Sequence, residues 1–549
     1  MNLILKKPGV RHATARLLAA AILAGAAIAC APGFAKAARP NIVVIQTDDQ
    51  SASTVKAEFR EKDGKYRKVM PHTVKGIFDK GTEFDNYYAV APVCSPSRAS
   101  LLTGDYPHNT GLETNDPPLG GWAGWQALPV YRQNVPVTLQ RAGYRTAHFG
   151  KLINGYFDAA NNRVETTIPP GWDSWFTTAF LPGTHYYGYQ VNDNGRAVGP
   201  FGDPDYQSDG PGIDSKNCTA ALLLTPNRQH GLKCNYLTDV MTRSVVREIR
   251  HNRSSSPFYL QVDYQGPHGD VVKPYGPQPA TRHLHSADRT PLPRPKNFNE
   301  ADISDKSPLI QGYIRHRMDR GTVRRLTDSY RRNIESLRAV DDGVGAIIKT
   351  LRQTGQLKNT YIFYISDHGI FLGEHRFNEA KFLPYDPASK VAMAVRGPGV
   401  PKRSSSREVT ANIDIPATAL KLAHANAQYS VDGRPLGRYW RHPGLKSRRP
   451  VEISLALSDP TSGKAGASAK APALRYRGFR VGPYKYIDYA QGGIELYDLS
   501  RDPFELRNVA DAPAYSAVAA YMKSHLAQVA GCQGRGCRLQ LPRWPEPSF

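Results

Sequence analysis

Five short apolar runs constrain this chain more than any other feature: Asn41–Gln46, Tyr144–Phe149, Phe258–Tyr264, Tyr361–Ser366 and Val391–Val395. They are rich in β-branched and aromatic residues, and most are near-continuous rather than alternating, so they predict central parallel strands covered on both faces. Covering helices are legible between them. From about Arg324 to Leu351, residues Ile334, Leu337, Val340, Val344, Ile347 and Leu351 recur at spacings of three and four, the stripe of an amphipathic helix. Strands alternating with such helices predict an α/β fold with a mostly parallel sheet between helical layers.

Four of the runs end in polar residues of a narrow kind. They lead into Thr47-Asp48-Asp49-Gln50, Gly150-Lys151, Gln265-Gly266-Pro267-His268 and Asp367-His368-Gly369. Open α/β sheets bind ligands beyond the carboxyl ends of their strands. Alone, Asp-Asp reads equally well as a helix cap and Asp-His-Gly as a tight turn; four such ends on one edge are harder to dismiss. Asp48, Asp49 and Asp367 are hard oxygen donors suited to Ca²⁺, with Mg²⁺ as the alternative. Three carboxylates and the single His368 disfavour zinc. Lys151, His268 and Lys381 are cations or proton donors able to hold a tetrahedral anion, and such a site suits sulfuryl or phosphoryl transfer.

The first 37 residues read as a secretory signal peptide: Lys6, Lys7, Arg11 and Arg16, an apolar run from Leu17 to Ala31, and Ala35-Lys36-Ala37 as the cleavage site. The run is shorter than a membrane span of ~20 residues, so no stable membrane anchor is expected; lipidation at Cys30 is disfavoured by Ala27. The expected location is secreted or periplasmic. Lys and Arg number 71 against 48 Asp and Glu, a formal charge of +23. Losing five basic and no acidic residues with the leader leaves +18. That balance favours anionic partners. The basic run Arg315–Arg332 also carries acidic and apolar residues, so it reads as a solvated helix face, and no motif supports nucleic-acid binding.

Export places the cysteines in an oxidising compartment. Cys218 with Cys234 and Cys532 with Cys537 are natural local pairs, and Cys94 is left over, either for intermolecular pairing or as a reactive group. Residues 183–236, 266–308 and 459–472 read as long loops. Residues 38–440 are expected to form the catalytic domain. A C-terminal subdomain over 441–549 follows, with antiparallel strands at Tyr476–Val481, Lys485–Tyr489 and Ile494–Leu499 and a helix at Ala514–Val529.

The leftover cysteine opens Cys94-Ser95-Pro96-Ser97-Arg98, with Leu101-Leu102-Thr103-Gly104 behind it. Pro96 suits a first helical turn. Cys94 would then sit at a helix N-terminus, where backbone N–H groups attract an anion, with Arg98 one turn on. This segment resembles the motif of the type I sulfatases, in which the cysteine is converted to formylglycine by a maturation enzyme. The resemblance extends over Thr47–Gln50, Gly104-Asp105-Tyr106-Pro107-His108-Asn109, Gly150-Lys151, Gly266–His268, Ser366–Gly369, Arg396–Gly399 and Leu496–Leu499 with Asp502–Glu505. It implies an alkaline-phosphatase-like α/β core with a small C-terminal subdomain.

The family pattern implies that Asp48, Asp49, Asp367 and His368 hold one Ca²⁺ together with the modified Cys94. It further implies that Arg98 stabilises the hydrated formylglycine, whose hydroxyl attacks sulfur. Lys151 and Lys381 would neutralise the sulfate oxygens and His268 would protonate the leaving alcohol. The second hydroxyl would then expel sulfate without an attacking water.

One departure is visible. Many sulfatases carry a histidine two residues after the lysine matched by Lys151; here the run is Lys151-Leu152-Ile153-Asn154-Gly155-Tyr156. This form and the Asp367-His368 pair are similar to the N-acetylglucosamine-6-sulfatase and extracellular heparan endosulfatase branch. They favour a sulfated glycan, with a carbohydrate 6-sulfate or an aryl sulfate as the ester. A phosphonate or phosphate ester hydrolase of the same superfamily is the alternative, and a catalytically inert glycan-binding relative is disfavoured because no core position is lost.

Overall fold

The computed structural model describes residues 39–61, 63–179, 185–201, 234–252, 256–270, 276–457 and 474–549. The proposed signal peptide, Cys218 and the loop 459–472 lie outside them. Ten strands form one mixed sheet in the order β12 (Ser404–Ala411), β4 (Thr82–Tyr88), β11 (Ala394–Arg396), β10 (Thr360–Ser366), β1 (Asn41–Thr47), β9 (Phe258–Asp263), β5 (Arg145–Gly150), β6 (Ser174–Thr178), β7 (Tyr189–Asp193) and β8 (Arg196–Phe201). The five neighbours from β10 to β6 run parallel. A hairpin of β2 (Glu58–Arg60) and β3 (Tyr66–Lys68) stands apart.

Alternation along β1 shows how the sheet is covered. Val43 and Ile45 join one core with α2 (Leu237–His251) and α3 (Arg320–Gln353). Ile42 and Val44 join a second with α1 (Cys94–Thr103) and α4 (Asp414–Ala423). All four strand residues are fully buried, and burying such a side chain is worth about 1.5–3 kcal/mol. A strand with two dry faces has no polar period, which is why its sequence reads as one apolar run.

The structure corrects two expectations. The fifth apolar run forms β11, which is antiparallel to both neighbours and starts at Ala394 rather than Val391. The stretch 183–236, expected as a long loop, contains the β7–β8 hairpin, whose outer strand is largely exposed.

The C-terminal sheet has four strands in sequence order, β13 (Val451–Leu457), β14 (Leu474–Val481), β15 (Tyr484–Tyr489) and β16 (Ile494–Asp498), all antiparallel. One face packs on the main body, sharing a core of Tyr88, Val90, Phe371 and Tyr385 with Val451, Tyr476 and Tyr497. The other is covered by α5 (Ser516–Ala530) through Val518, Met522 and Val529. Cys532 and Cys537 form a disulfide. The tail they close is tied down by the Gly104–Asn109 motif. His108 Nε2 and Asn109 Nδ2 each lie 2.9 Å from Cys532 O, and the Asp432 carboxylate accepts from Tyr106 N, Asn109 Nδ2 and Gly534 N at 2.6–2.9 Å.

Candidate active site

The strand ends and the start of α1 meet at one buried point. Asp48 and Asp49 follow β1, Lys151 follows β5, His268 comes from the turn after β9, and Asp367 and His368 follow β10. Asp49 takes a left-handed φ of 61°, a conformation costly for a residue with a Cβ. Its backbone N–H is held by Asp367 Oδ1 at 3.2 Å. Gly150, at φ 108°, is required where it stands: a Cβ there would lie 2.1 Å from Asp263 O, the carbonyl that accepts from Lys151 N at 3.0 Å.

Cys94 is the first residue of α1 and is fully buried. Its Sγ lies 3.3 Å from His368 Nε2, 3.3 Å from Lys381 Nζ and 3.8 Å from Asp48 Oδ1. Arg98, one turn on, donates from Nε to Asp367 Oδ2 at 3.0 Å and from Nη1 to Lys151 O at 2.7 Å, with Nη2 3.2 Å from Asp48 Oδ2. Lys151 Nζ donates to Asp48 Oδ2 at 2.5 Å. Lys381 Nζ donates to both Asp49 carboxylate oxygens at 2.9 and 3.2 Å and stands 3.4 Å from His268 Nε2. All nine residues singled out in the sequence therefore lie in one connected cluster.

Burial pushes the Asp48 carboxyl up, but the charges of Lys151, His268, Arg98 and Lys381 outweigh it and hold the group well below the usual carboxylate range. Asp49 is lowered in the same way by Lys381, His268 and His368 against its burial. Burial and the Asp48 charge raise Asp367 to about 6. The Cys94 thiol is pushed up by burial and pulled further down by Lys151 and Lys381, which favours thiolate. One ligand atom from each of Asp48, Asp49, Cys94 and His368 lies within 4.8 Å of the others. Two ionised carboxylates with an imidazole nitrogen beside them fit a hard divalent cation. Asp367 stands outside that four-residue group, its Oδ2 bonded to Arg98 and 3.7 Å from His368 Nε2.

The sequence profile of the Sulfatase family matches residues 40–425, which span every one of these side chains. The chain belongs to the sulfatase family. It is a sulfuric ester hydrolase by that membership. An arylsulfatase of Volvox carteri is 30% identical over 536 residues, covering 91% of this chain and 76% of its own. The N-acetylglucosamine-6-sulfatase of Homo sapiens is 27% identical over 529 residues, covering 91% and 86%. A solved protein bound to its substrate D-glucosamine-2-N,6-O-disulfate has a TM-score of 0.66 at 22% identity, covering 90% of this chain and 98% of its own. The phosphonate monoester hydrolase of Agrobacterium radiobacter has a TM-score of 0.62 at 20% identity, covering 90% and 96%. At such identities the solved structures speak for the shared fold alone.

Beside this cluster stand residues that the strand-end pattern did not single out. Asp263, the last residue of β9, accepts from Gln261 Nε2 at 2.8 Å and lies 3.0 Å from His148 Nε2 and 3.9 Å from Arg98 Nη1. His148 also meets Thr177 Oγ1 at 2.6 Å and stacks on Trp175. A carboxylate and an imidazole inside otherwise apolar strands were the signal. His375 turns away from the cluster: it is buried, 2.6 Å from Glu300 Oε2, and packed on Tyr385. Tyr186 stacks on Tyr236 and donates to His268 O at 2.8 Å, while Trp122 and Trp125 are core residues. Among the described residues, no helix is long and apolar enough to cross a membrane.

Proposed function

We propose that this sulfatase is an exported enzyme that hydrolyses sulfate monoesters of sugars, a carbohydrate 6-sulfate foremost, and small aryl sulfates as well, with Cys94 as the source of its nucleophile. The observation that carries the reading is the position of Cys94 Sγ at the head of α1, ringed by Lys381, His368 and Asp48. The N-acetylglucosamine-6-sulfatase relative supports the sugar ester and the Volvox carteri arylsulfatase the aryl ester.

Formylglycine, made from Cys94 by a maturation enzyme, would supply a hydrate hydroxyl as the nucleophile. Asp48, Asp49, His368 and the Cys94 position, with Asp367 beside them, would hold Ca²⁺ or Mg²⁺, whose charge offsets that of the ester oxygens. Lys151 and Lys381 are held cationic against their burial by Asp48 and Asp49, so they would neutralise the outer sulfate oxygens. Burial lowers His268, but Asp49 and Asp48 raise it further and favour the imidazolium. Its Nδ1 is 2.7 Å from Gly269 O, and Nε2, 3.5 Å from Asp49 Oδ2, would hold the proton for the leaving alcohol oxygen. Arg98 fixes Asp48 and Asp367 from below through its fork.

Mass spectrometry of the intact peptide holding Cys94, with turnover of p-nitrophenyl sulfate and of p-nitrophenyl phenylphosphonate, tests this directly. Aldehyde in place of thiol together with sulfate release is expected. Full activity on an unmodified thiol would overturn the nucleophile. Preferential release from the phosphonate ester would replace the reaction class.

A further inference from the structure

The N-terminal end of α3 carries a second basic feature, apart from the cluster above. With 34 residues, α3 is ~50 Å long. It leads through Gln356–Asn359 into β10, whose seven residues span ~23 Å. A helix that returns along a shorter strand overshoots it, so the start of α3 projects past the edge that bears Asp367. There a cavity of about 470 Å³ is lined by Arg294, Arg317, Arg320 and Arg324 over Phe298 and Met318. All four arginines are exposed. Among the described residues none of the four pairs with a carboxylate within 4.0 Å. The acid at the cavity, Asp319, is already engaged, accepting from Thr322 N at 2.6 Å.

The cavity and Lys381 flank the same loop. Asn299 N donates to Gly373 O at 2.8 Å where that loop begins. Thr327 lines the cavity, and two residues along α3 Ser329 Oγ donates to Glu379, which precedes Lys381 by two positions. The basic run Arg315–Arg332, expected to be a solvated helix face, thus contributes three guanidinium groups to a concave wall beyond the strand-end edge that bears Asp367.

We propose that this cavity is a subsite for a second sulfate or carboxylate group of a polyanionic glycan whose 6-sulfate lies in the Cys94 site; it rests on the glycan reading of that site. Guanidinium forks match the paired oxygens of sulfate and carboxylate, and four gathered around the single carboxylate of Asp319 leave an excess of positive charge that a bound anion would neutralise. Single-stranded nucleic acid fits less well, because its bases need open aromatic faces. The cavity's one aromatic ring, Phe298, is covered by Arg294 at 5.4 Å.

The test compares the full chain with a triple variant, Arg317→Gln, Arg320→Gln and Arg324→Gln, using a heparin hexasaccharide and a single-stranded DNA 20-mer as binding probes across a salt series. The expected result is at least tenfold weaker heparin binding with a flatter salt dependence, and wild-type DNA binding much weaker than heparin binding. Turnover of a 6-sulfated heparin oligosaccharide should fall at least tenfold in kcat/KM, while that of p-nitrophenyl sulfate, too small to span both places, stays within twofold. Unchanged heparin affinity would overturn the subsite, as would a parallel loss on the aryl ester. Equal or tighter DNA binding would overturn the glycan assignment. Absence of wild-type aryl sulfate turnover would count instead against the hydrolase reading, and heparin binding alone would then decide on the cavity.

Discussion

Asp263 meets the cluster around Cys94 through the Arg98 guanidinium. Its carboxylate sits between His148 and Arg98, and Arg98 in turn holds Asp48 and Asp367. Asp263→Asn keeps the shape and removes the charge that faces the guanidinium. The expected outcome is a fall in kcat of ~10–100-fold, the usual cost of disturbing groups that orient a site from behind. KM should change little, because Asp263 is not among the groups that would face the ester; steady-state kinetics with a melting curve check both. Asp105 supports a different prediction. Burial and the neighbouring Asp432 charge raise its carboxyl to about 8, against an ordinary value of 3.8. A raised acid favours the folded state while protonated, so its contribution is complete below pH ~4 and is lost as pH rises through about 8. Asp105→Asn should flatten the decline of Tm between those limits, measured by thermal melts in a buffer series.

At the scale of elements, legibility followed burial. β1, β5, β9 and β10 are dry on both faces, so their runs were visible, and with them the strand ends that carry Asp48, Lys151 and Asp367. By contrast, β4 mixes buried and half-buried residues in Thr-Glu-Phe-Asp-Asn-Tyr-Tyr, and β12 begins with three serines. Their place in the sheet is set by neighbours more than 300 residues away, which no local pattern encodes. Asp263 escaped notice for a related reason: it closes an apolar strand instead of following one. The stripe on α3 was legible because 3.6-residue periodicity survives over many turns. Leu337 lies on it, fully buried against the sheet. Leu337→Ala should cost about 2–5 kcal/mol, the range for a truncated core leucine, seen as a lower urea midpoint with an unchanged slope.

At the scale of the whole molecule, the expected boundary near residue 440 meets a continuous core. Tyr88 and Tyr385 pack in the same cluster as Val451 and Tyr497, and Lys485 Nζ of β15 donates to Asp386 Oδ1 at 2.5 Å and Glu505 Oε1 at 2.6 Å. We expect residues 40–549 to melt in one calorimetric transition. A chain ending at residue 440 should be insoluble or lack a cooperative transition, since it would expose that apolar face. The depth of Cys94 also has a temporal meaning. In the folded chain the sulfur is fully buried, so the maturation enzyme proposed above would have to meet a chain that is still open. At about 5–20 residues per second, synthesis from Cys94 to His368 takes roughly a quarter of a minute to a minute. Slow elongation or delayed folding lengthens the interval in which this sulfur is reachable, and fast folding shortens it, so under the proposed maturation the fraction of active enzyme would be set by a race of rates.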